Sequence, residues 1–163
     1  MDHTAQAMTG RRVIVTGAGG FVGGHVMTTL AQAAATPIGL IRALPPARQD
    51  HGFLWASADL VTDPLDALLA ELRPDAIIHC AGLTAAPDTD AGRDALFAAN
   101  ITATARLIAA VARMQRPVRL VIVSSAAIWA PMPPGLTAID EAHSMRPVAA
   151  YGVSKAAATL HAL

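Results

Sequence analysis

Short runs of Val, Ile and Leu alternate with longer segments of helical spacing along this chain, and that alternation limits the fold more than any other feature. Residues 12–16, 37–41, 53–57, 75–79 and 118–124 are brief, apolar and bounded by Gly, Pro or polar residues. They read as parallel strands buried on both faces, where no alternation of apolar and polar side chains is required. Between them, residues 20–35 follow a glycine turn, and residues 64–72 carry Leu65, Leu68, Leu69 and Leu72 on one helical stripe. Residues 94–115 are apolar nearly all round and call for cover on two sides, and residues 148–163 hold a last helix beginning near Ala150. Strands and helices in turn are the pattern of βαβ units wound into a parallel sheet.

Composition narrows the classes. The 163 residues correspond to one domain of ordinary size. Twelve Lys and Arg balance 12 Asp and Glu, which leaves no electrostatic footprint for nucleic acid or an anionic membrane. The single cysteine, Cys80, excludes a disulfide within the chain and reads as a small core residue. Six scattered histidines show no paired spacing, so no metal site is expected. Residues 1–12 lack the apolar core of a signal peptide, and the apolar runs are interrupted short of the roughly 18 residues of a membrane span, so a cytoplasmic domain is expected.

Thr16-Gly17-Ala18-Gly19-Gly20-Phe21-Val22-Gly23 joins the first strand to the first helix. Gly17 suits the tight turn, Gly20 lets backbone approach a pyrophosphate, and Gly23 lets helix and strand pack closely. The phosphates would rest on the positive end of the helix dipole. Glycines also make ordinary loops, but this turn lies between a strand and a helix, the context that nucleotide binding needs. At the end of the second strand, where an acid would hold a ribose diol, stands Arg42. A cation there suits a 2′-phosphate and hence NADP(H), with NAD(H) the alternative; a solvated arginine at a strand end is the plainer reading. Arg48 could assist.

Tyr151, the only tyrosine, precedes Lys155, the only lysine, by four residues, so the two share a helix face. An ammonium beside a phenol favours the phenolate and makes it a usable acid or base. Ser124 and Ser125 follow the fifth strand, and His79-Cys80-Ala81-Gly82 follows the fourth. In an open α/β sheet, ligands bind outside the carboxyl ends of the strands, so three strand ends are expected to meet at one crevice.

Taken together, these motifs resemble the extended short-chain dehydrogenase/reductase family, the NAD(P)-dependent sugar epimerase/dehydratase group. Thr16 to Gly23 matches T-G-x-x-G-F-x-G, Asp59-Leu60-Val61-Thr62-Asp63 follows strand three, and His79 to Gly82 is similar to H-x-A-A. Asn100 to Thr104 is similar to N-V-x-G-T, Ser124 to Trp129 to S-S-x-x-V-Y, and Tyr151 to Lys155 is the Y-x-x-x-K pair. The resemblance implies a Rossmann-type doubly wound sheet of about five strands, order 3-2-1-4-5, over residues 12–163, preceded by a tail of residues 1–11. It implies Tyr151 as general acid/base, Lys155 as its activator and ribose partner, and Ser125 as the hydroxyl on the same substrate oxygen. Gly17, Gly20, Phe21, Val22, Gly23, Arg42, Asp59, Leu60, Ala81, Gly82, Asn100, Ser124, Tyr151 and Lys155 would hold the cofactor, with Asn100 bracing strand four. Asp140-Glu141 and Arg146-Pro147 before Tyr151 resemble the approach found in nucleotide-sugar enzymes, which tips the substrate toward a nucleotide-linked sugar.

The departures from that pattern have consequences. Trp129-Ala130 replaces Tyr-Gly and makes a bulkier wall; Ala103 for Gly and Gly82 for Ala look mild. Family members run to roughly twice this length, so against the family pattern this chain is expected to lack the sixth and seventh strands and the substrate lobe. A non-catalytic NAD(P)-binding module or an inactive fragment is the rival reading. Residues 94–115 and 150–163 could form a homodimer face, or simply pack on the sheet.

Overall fold

The computed structural model describes residues 8–43, 53–129, 135 and 137–163. Five parallel strands, β1 (Arg12–Thr16), β2 (Thr36–Ile41), β3 (Leu54–Ser57), β4 (Ala76–His79) and β5 (Arg119–Ile122), form one sheet in the order β3-β2-β1-β4-β5. This is the expected order. Helix α1 (Phe21–Gln32) connects β1 to β2, and α2 (Leu65–Leu72) connects β3 to β4. A long helical segment follows β4: α3 (Asp90–Phe97), a π-helical turn (Ala98–Thr102) and α4 (Ala103–Ala112). After β5 come a 3₁₀ turn (Ala126–Ile128) and α5 (Ala150–Ala162). The chain divides into two compact units, Met1–Ala81 with Arg106–Val123, and Gly82–Ala105 with Ser124–Leu163.

In the first unit β1 is the central strand, and Val13, Ile14, Val15 and Thr16 are at most 1% exposed. Val13 and Val15 pack with Ala18, Met27 and Leu30, and Cys80, Trp55 and Phe53 close around them as half-buried neighbours. Each fully buried Val or Ile contributes about 1.5–3 kcal/mol. Residues 8–11 are tied in as well: Gly10 N donates to Ala34 O at 2.9 Å, and Met8 packs on the same cluster.

Burial on both faces holds for β1 and most of β2 but not for the outer strands. β3 and β5 each have a neighbour on one side only, and Leu54, Val121 and Val123 are 48%, 47% and 37% exposed. The buried positions of the long segment, Gly92, Leu96, Asn100, Ala103, Thr104, Leu107 and Ala110, form one stripe, while Ile101, Ile108 and Val111 are only half-buried. Cover on two sides is therefore incomplete. Asp90–Ala112 is also a continuous 23-residue helix, long and apolar enough by length and composition to cross a membrane, contrary to the expectation of short interrupted runs. The core helix of a globular domain passes the same test, and Thr104 Oγ1 and the Arg106 guanidinium along it donate hydrogen bonds to backbone carbonyls of this chain.

Candidate functional site

The glycine turn is built as its spacing requires. Gly17 takes φ +66, and a Cβ there would lie 2.8 Å from Ala81 Cα and N, so only glycine fits both the turn and the approach of the β4 end. Gly20 N donates to Gly17 O at 2.9 Å, and Gly20 is the N-cap of α1. No side chain caps that helix and its first turn holds no acid, so its N–H groups face outward without a side-chain partner. Such an N-terminus, with glycine backbone drawn close, fits the pyrophosphate of a dinucleotide. A Cβ on Gly23 would sit 2.3 Å from Gly17 O, which is why helix and turn can pack only as glycine on glycine. Phe21, 82% exposed, and Val22 stand on the outer face of the first turn.

Two buried polar residues join the turn to the end of β4. Thr16 Oγ1 lies 2.7 Å from His79 Nδ1 and accepts from Ala81 N at 3.1 Å. Ala81 is thereby held against Gly17.

At the ends of β2 and β3, Arg42 and Asp59 come together, with Nε 3.8 Å from Oδ2. Asp59 organises its own loop, since its N–H donates to Asp63 Oδ2 and its Oδ1 accepts from Val61 N, both at 2.8 Å. Leu60 is buried, and its carbonyl and that of Asp63 accept from Arg106 Nε at 3.0 Å and Nη2 at 2.6 Å. The sequence reading does not single out Arg106, because a backbone-directed arginine 46 positions away leaves no local motif. Arg48 and Ala130 lie outside the described residues.

In the second unit, Ser125 is the N-cap of the 3₁₀ turn and its Oγ accepts from Ala127 N at 3.2 Å. That turn lies directly against α5: a Cβ on Gly152 would be 2.6 Å from Ala127 O and 3.2 Å from Pro147 Cβ. Tyr151, half-buried, and Lys155, 9% exposed, stand on α5 one turn apart on either side of this contact. Ser124 Oγ is 2.7 Å from Thr159 Oγ1, so the hydroxyl expected to meet cofactor also bonds to α5. Trp129 is half-buried, and its indole N–H donates to His143 O at 3.0 Å, anchoring the segment that leads to Tyr151. His143 Nδ1 lies 2.8 Å from Asp140 Oδ1, and this bond, with that of Ala142 N, holds the Asp140 carboxyl below its ordinary value.

Asn100 sits in the π-helical turn and bonds to Leu83, in the segment after β4. Its Oδ1 accepts from Leu83 N at 2.7 Å, and its Nδ2 donates to Leu83 O at 2.8 Å and to Ser154 Oγ at 2.9 Å. A Cβ on Gly82 would come within 2.7 Å of that Oδ1.

A parallel 3-2-1-4-5 sheet with a glycine turn at the first strand end defines a Rossmann-type α/β domain. The NAD dependent epimerase/dehydratase family matches residues 13–163, and the chain belongs to that family. It is 35% identical over 161 residues to a dTDP-6-deoxy-L-talose 4-dehydrogenase (NAD(P)(+)) of Kitasatospora kifunensis, covering 96% of this chain and 47% of that one. It is 33% identical over 148 residues to the GDP-6-deoxy-D-mannose reductase of Pseudomonas aeruginosa, covering 91% and 45%. The chain thus spans about half the length of the curated relatives it matches. Among solved structures, MoeE5 in complex with UDP-glucose and NAD superposes with a TM-score of 0.74 at 28% identity, covering 93% of this chain and 48% of that one. A protein from Burkholderia cenocepacia J2315 superposes with a TM-score of 0.80 at 29% identity, covering 95% and 50%.

Proposed function

We propose that this chain carries the cofactor-binding and proton-transfer half of an NAD(P)-dependent enzyme acting on a nucleotide-linked sugar. The observation that carries the reading is in α5: Tyr151 and Lys155 one turn apart, with Gly152 between them packed on the Ser125 turn. Tyr151 moves the proton on the sugar oxygen, Ser125 donates to that oxygen, and Lys155, one turn along the same helix, meets the nicotinamide ribose. The nicotinamide, when bound, supplies or accepts the hydride. Gly17, Gly20, Phe21, Val22 and Gly23 receive the pyrophosphate at the α1 N-terminus. Asp59 and Leu60 border the adenine, Ala81, Gly82 and Ser124 line the cofactor, and Asn100 holds Leu83 beside it. The relatives named for dTDP- and GDP-linked sugars support the substrate class.

Arg42 favours NADP(H) by charge, since a guanidinium pairs with a 2′-phosphate. The test titrates the purified chain with NADPH and NADH and follows thermal unfolding, because a ligand of the folded state raises Tm with concentration. Greater stabilisation by NADPH, reversed by Arg42→Asp, is expected; equal stabilisation by both nucleotides and no reversal would refute the preference. Tyr151→Phe should abolish sugar turnover while leaving nucleotide stabilisation intact, and surviving turnover would sink the catalytic assignment. A second reading is a nucleotide-binding module without turnover of its own. That reading predicts nucleotide stabilisation with no sugar reaction in the wild type. Exposed Val153, Leu160 and Leu163 on and after α5 support a homodimer face there, which sedimentation would test.

A further inference from the structure

We infer that Ser154 is a positioning residue, fixing the first turn of α5, and with it Tyr151, to the π-helical turn at Asn100; the inference rests on the acid/base reading of Tyr151. Ser154 is fully buried, and its hydroxyl donates to Tyr151 O at 2.7 Å. A hydroxyl has one proton, so toward Asn100 the same oxygen acts as acceptor, and Asn100 Nδ2 donates to it at 2.9 Å. The other Nδ2 proton goes to Leu83 O, and Oδ1 takes Leu83 N. Both donors of the amide are therefore used and its orientation is set, since turning it over would place N–H against N–H at Leu83.

The result is an unbroken path from the backbone at Leu83 through Asn100 and Ser154 to the carbonyl of Tyr151. It adds a hydrogen-bonded tie to the packing of Gly152 on Ala127 and Pro147 at that end of α5. Its N-cap, Ala149, offers no side-chain hydrogen bond, and an uncapped first turn is the part of a helix that frays. Tyr151 is the second residue of that helix. The π turn places the donor: Ala98–Thr102 inserts a wider turn in the long segment, and Thr104 Oγ1 takes the Asn100 carbonyl at 2.7 Å, leaving the amide side chain to reach α5. Without the Ser154 hydroxyl, Asn100 loses a buried acceptor, and the turn bearing Tyr151 loses its side-chain tie to the π-helical turn.

Tyr151 is the only tyrosine of the chain, so the tyrosinate band in difference absorbance reports on it alone. The full chain is titrated with alkali as wild type, Ser154→Ala and Lys155→Met, and each variant's cooperative melting is recorded. Lys155→Met should displace the profile to higher pH. Ser154→Ala should displace it the same way by less, so that its signal at the wild-type midpoint falls roughly twofold, the response to about half a pH unit. A Ser154→Ala profile that overlies the wild type, while Lys155→Met is displaced, overturns the positioning role and leaves the Tyr–Lys pair standing. A Lys155→Met profile that overlies the wild type overturns the acid/base reading, and the inference falls with it. If Ser154→Ala does not melt cooperatively, exchange of the Asn100 side-chain amide protons in the wild type decides. Slow exchange of both supports the path; exchange as fast as in a free amide overturns it.

Discussion

Gly23 and Gly24 are adjacent residues of α1, yet alanine should act on them with opposite signs. In a helix interior the change from Gly to Ala is worth about 1 kcal/mol in favour of folding. At Gly24 nothing opposes that gain, because the nearest atom a Cβ would meet is Ala18 O at an ordinary 3.8 Å. At Gly23 the Cβ would lie 2.3 Å from Gly17 O and 2.8 Å from Ala18 Cα, and these are backbone atoms that no rotamer change can remove. Overpacking costs about 1–3 kcal/mol, and rigid backbone on both sides puts this site at or above the upper end. Net destabilisation of about 2 kcal/mol follows for Gly23→Ala once the helix gain is subtracted. For a chain of this size that is a fall in Tm of about 4–8 °C, against a rise of about 2–4 °C for Gly24→Ala. Gly17 O also accepts from Gly20 N, so the displacement reaches the turn proposed to hold the pyrophosphate. NADH should therefore stabilise Gly23→Ala less than wild type, and Gly24→Ala as much. Calorimetry with and without NADH measures both quantities. Two shifts of the same sign would refute the steric reasoning, and a destabilised Gly23→Ala that responds fully to NADH would refute its link to the nucleotide.

Asp75 accepts from Arg12 N at 2.9 Å and Arg116 Nη2 at 2.6 Å; the Arg12 bond first, then Arg116 and Arg11, hold its carboxyl below the ordinary value. A lowered carboxyl stabilises above its unfolded value and loses that contribution as pH falls through the folded one, so Asp75→Asn should cost about 1–2 kcal/mol at pH 7 in urea unfolding. The gap should close below about pH 4, and a gap that persists in acid would contradict the ionic origin. Gly152→Ala should push the Ser125 turn off α5 and lower Tm by several degrees, about 1–3 kcal/mol, with loss of any sugar turnover; unchanged melting would deny the contact. Arg106→Lys removes a two-carbonyl clamp on the Asp59 loop and should weaken AMP binding several-fold by calorimetric titration, whereas unchanged affinity would detach that loop from the adenine. Gly82→Ala should lower Tm by about 2–4 °C and speed exchange of the Leu83 amide, and a variant equal to wild type in both would show that Asn100 has room to move.

The central strands were legible because β1 and β2 are buried on both faces and announce themselves as continuous apolar runs, whereas the strand order followed from the family resemblance, and the π-helical turn at Ala98–Thr102 and the 3₁₀ turn at Ala126–Ile128 left no such signal. The same rule misjudged β3 and β5, where the sheet has an edge: Val121 and Val123 look like core residues in the sequence and are half-exposed in the fold. The glycine turn was legible for a related reason. Its constraint is local, with Gly17, Gly20, Gly23 and the start of α1 all within seven residues, so spacing alone encodes the geometry. Arg106 and Ser154 were not legible. Their partners lie at Leu60 and Asp63, and at Asn100, and neither an arginine on a helix nor a serine before a lysine shows at what distance its hydrogen bond will be made.

Gly82 shows where motif comparison and geometry part. In the family pattern its place is taken by Ala, and on residue type alone the exchange looks mild, since one methyl on an exposed loop should be indifferent. The cost is set instead by what stands opposite. Asn100 Oδ1 occupies the space a Cβ would need, and that oxygen cannot yield freely, because the same side chain is 2% exposed and bound at Leu83 N, Leu83 O and Ser154 Oγ. A small residue and a buried amide have here been fitted to one another. In this chain, then, the meaning of a departure at the β4 end depends on a residue 18 positions later, which in turn depends on one 54 positions beyond it. The loop at Gly82–Leu83 and the helix that carries Tyr151 are therefore two ends of one hydrogen-bonded unit, and substitutions at either end should be expected to act non-additively.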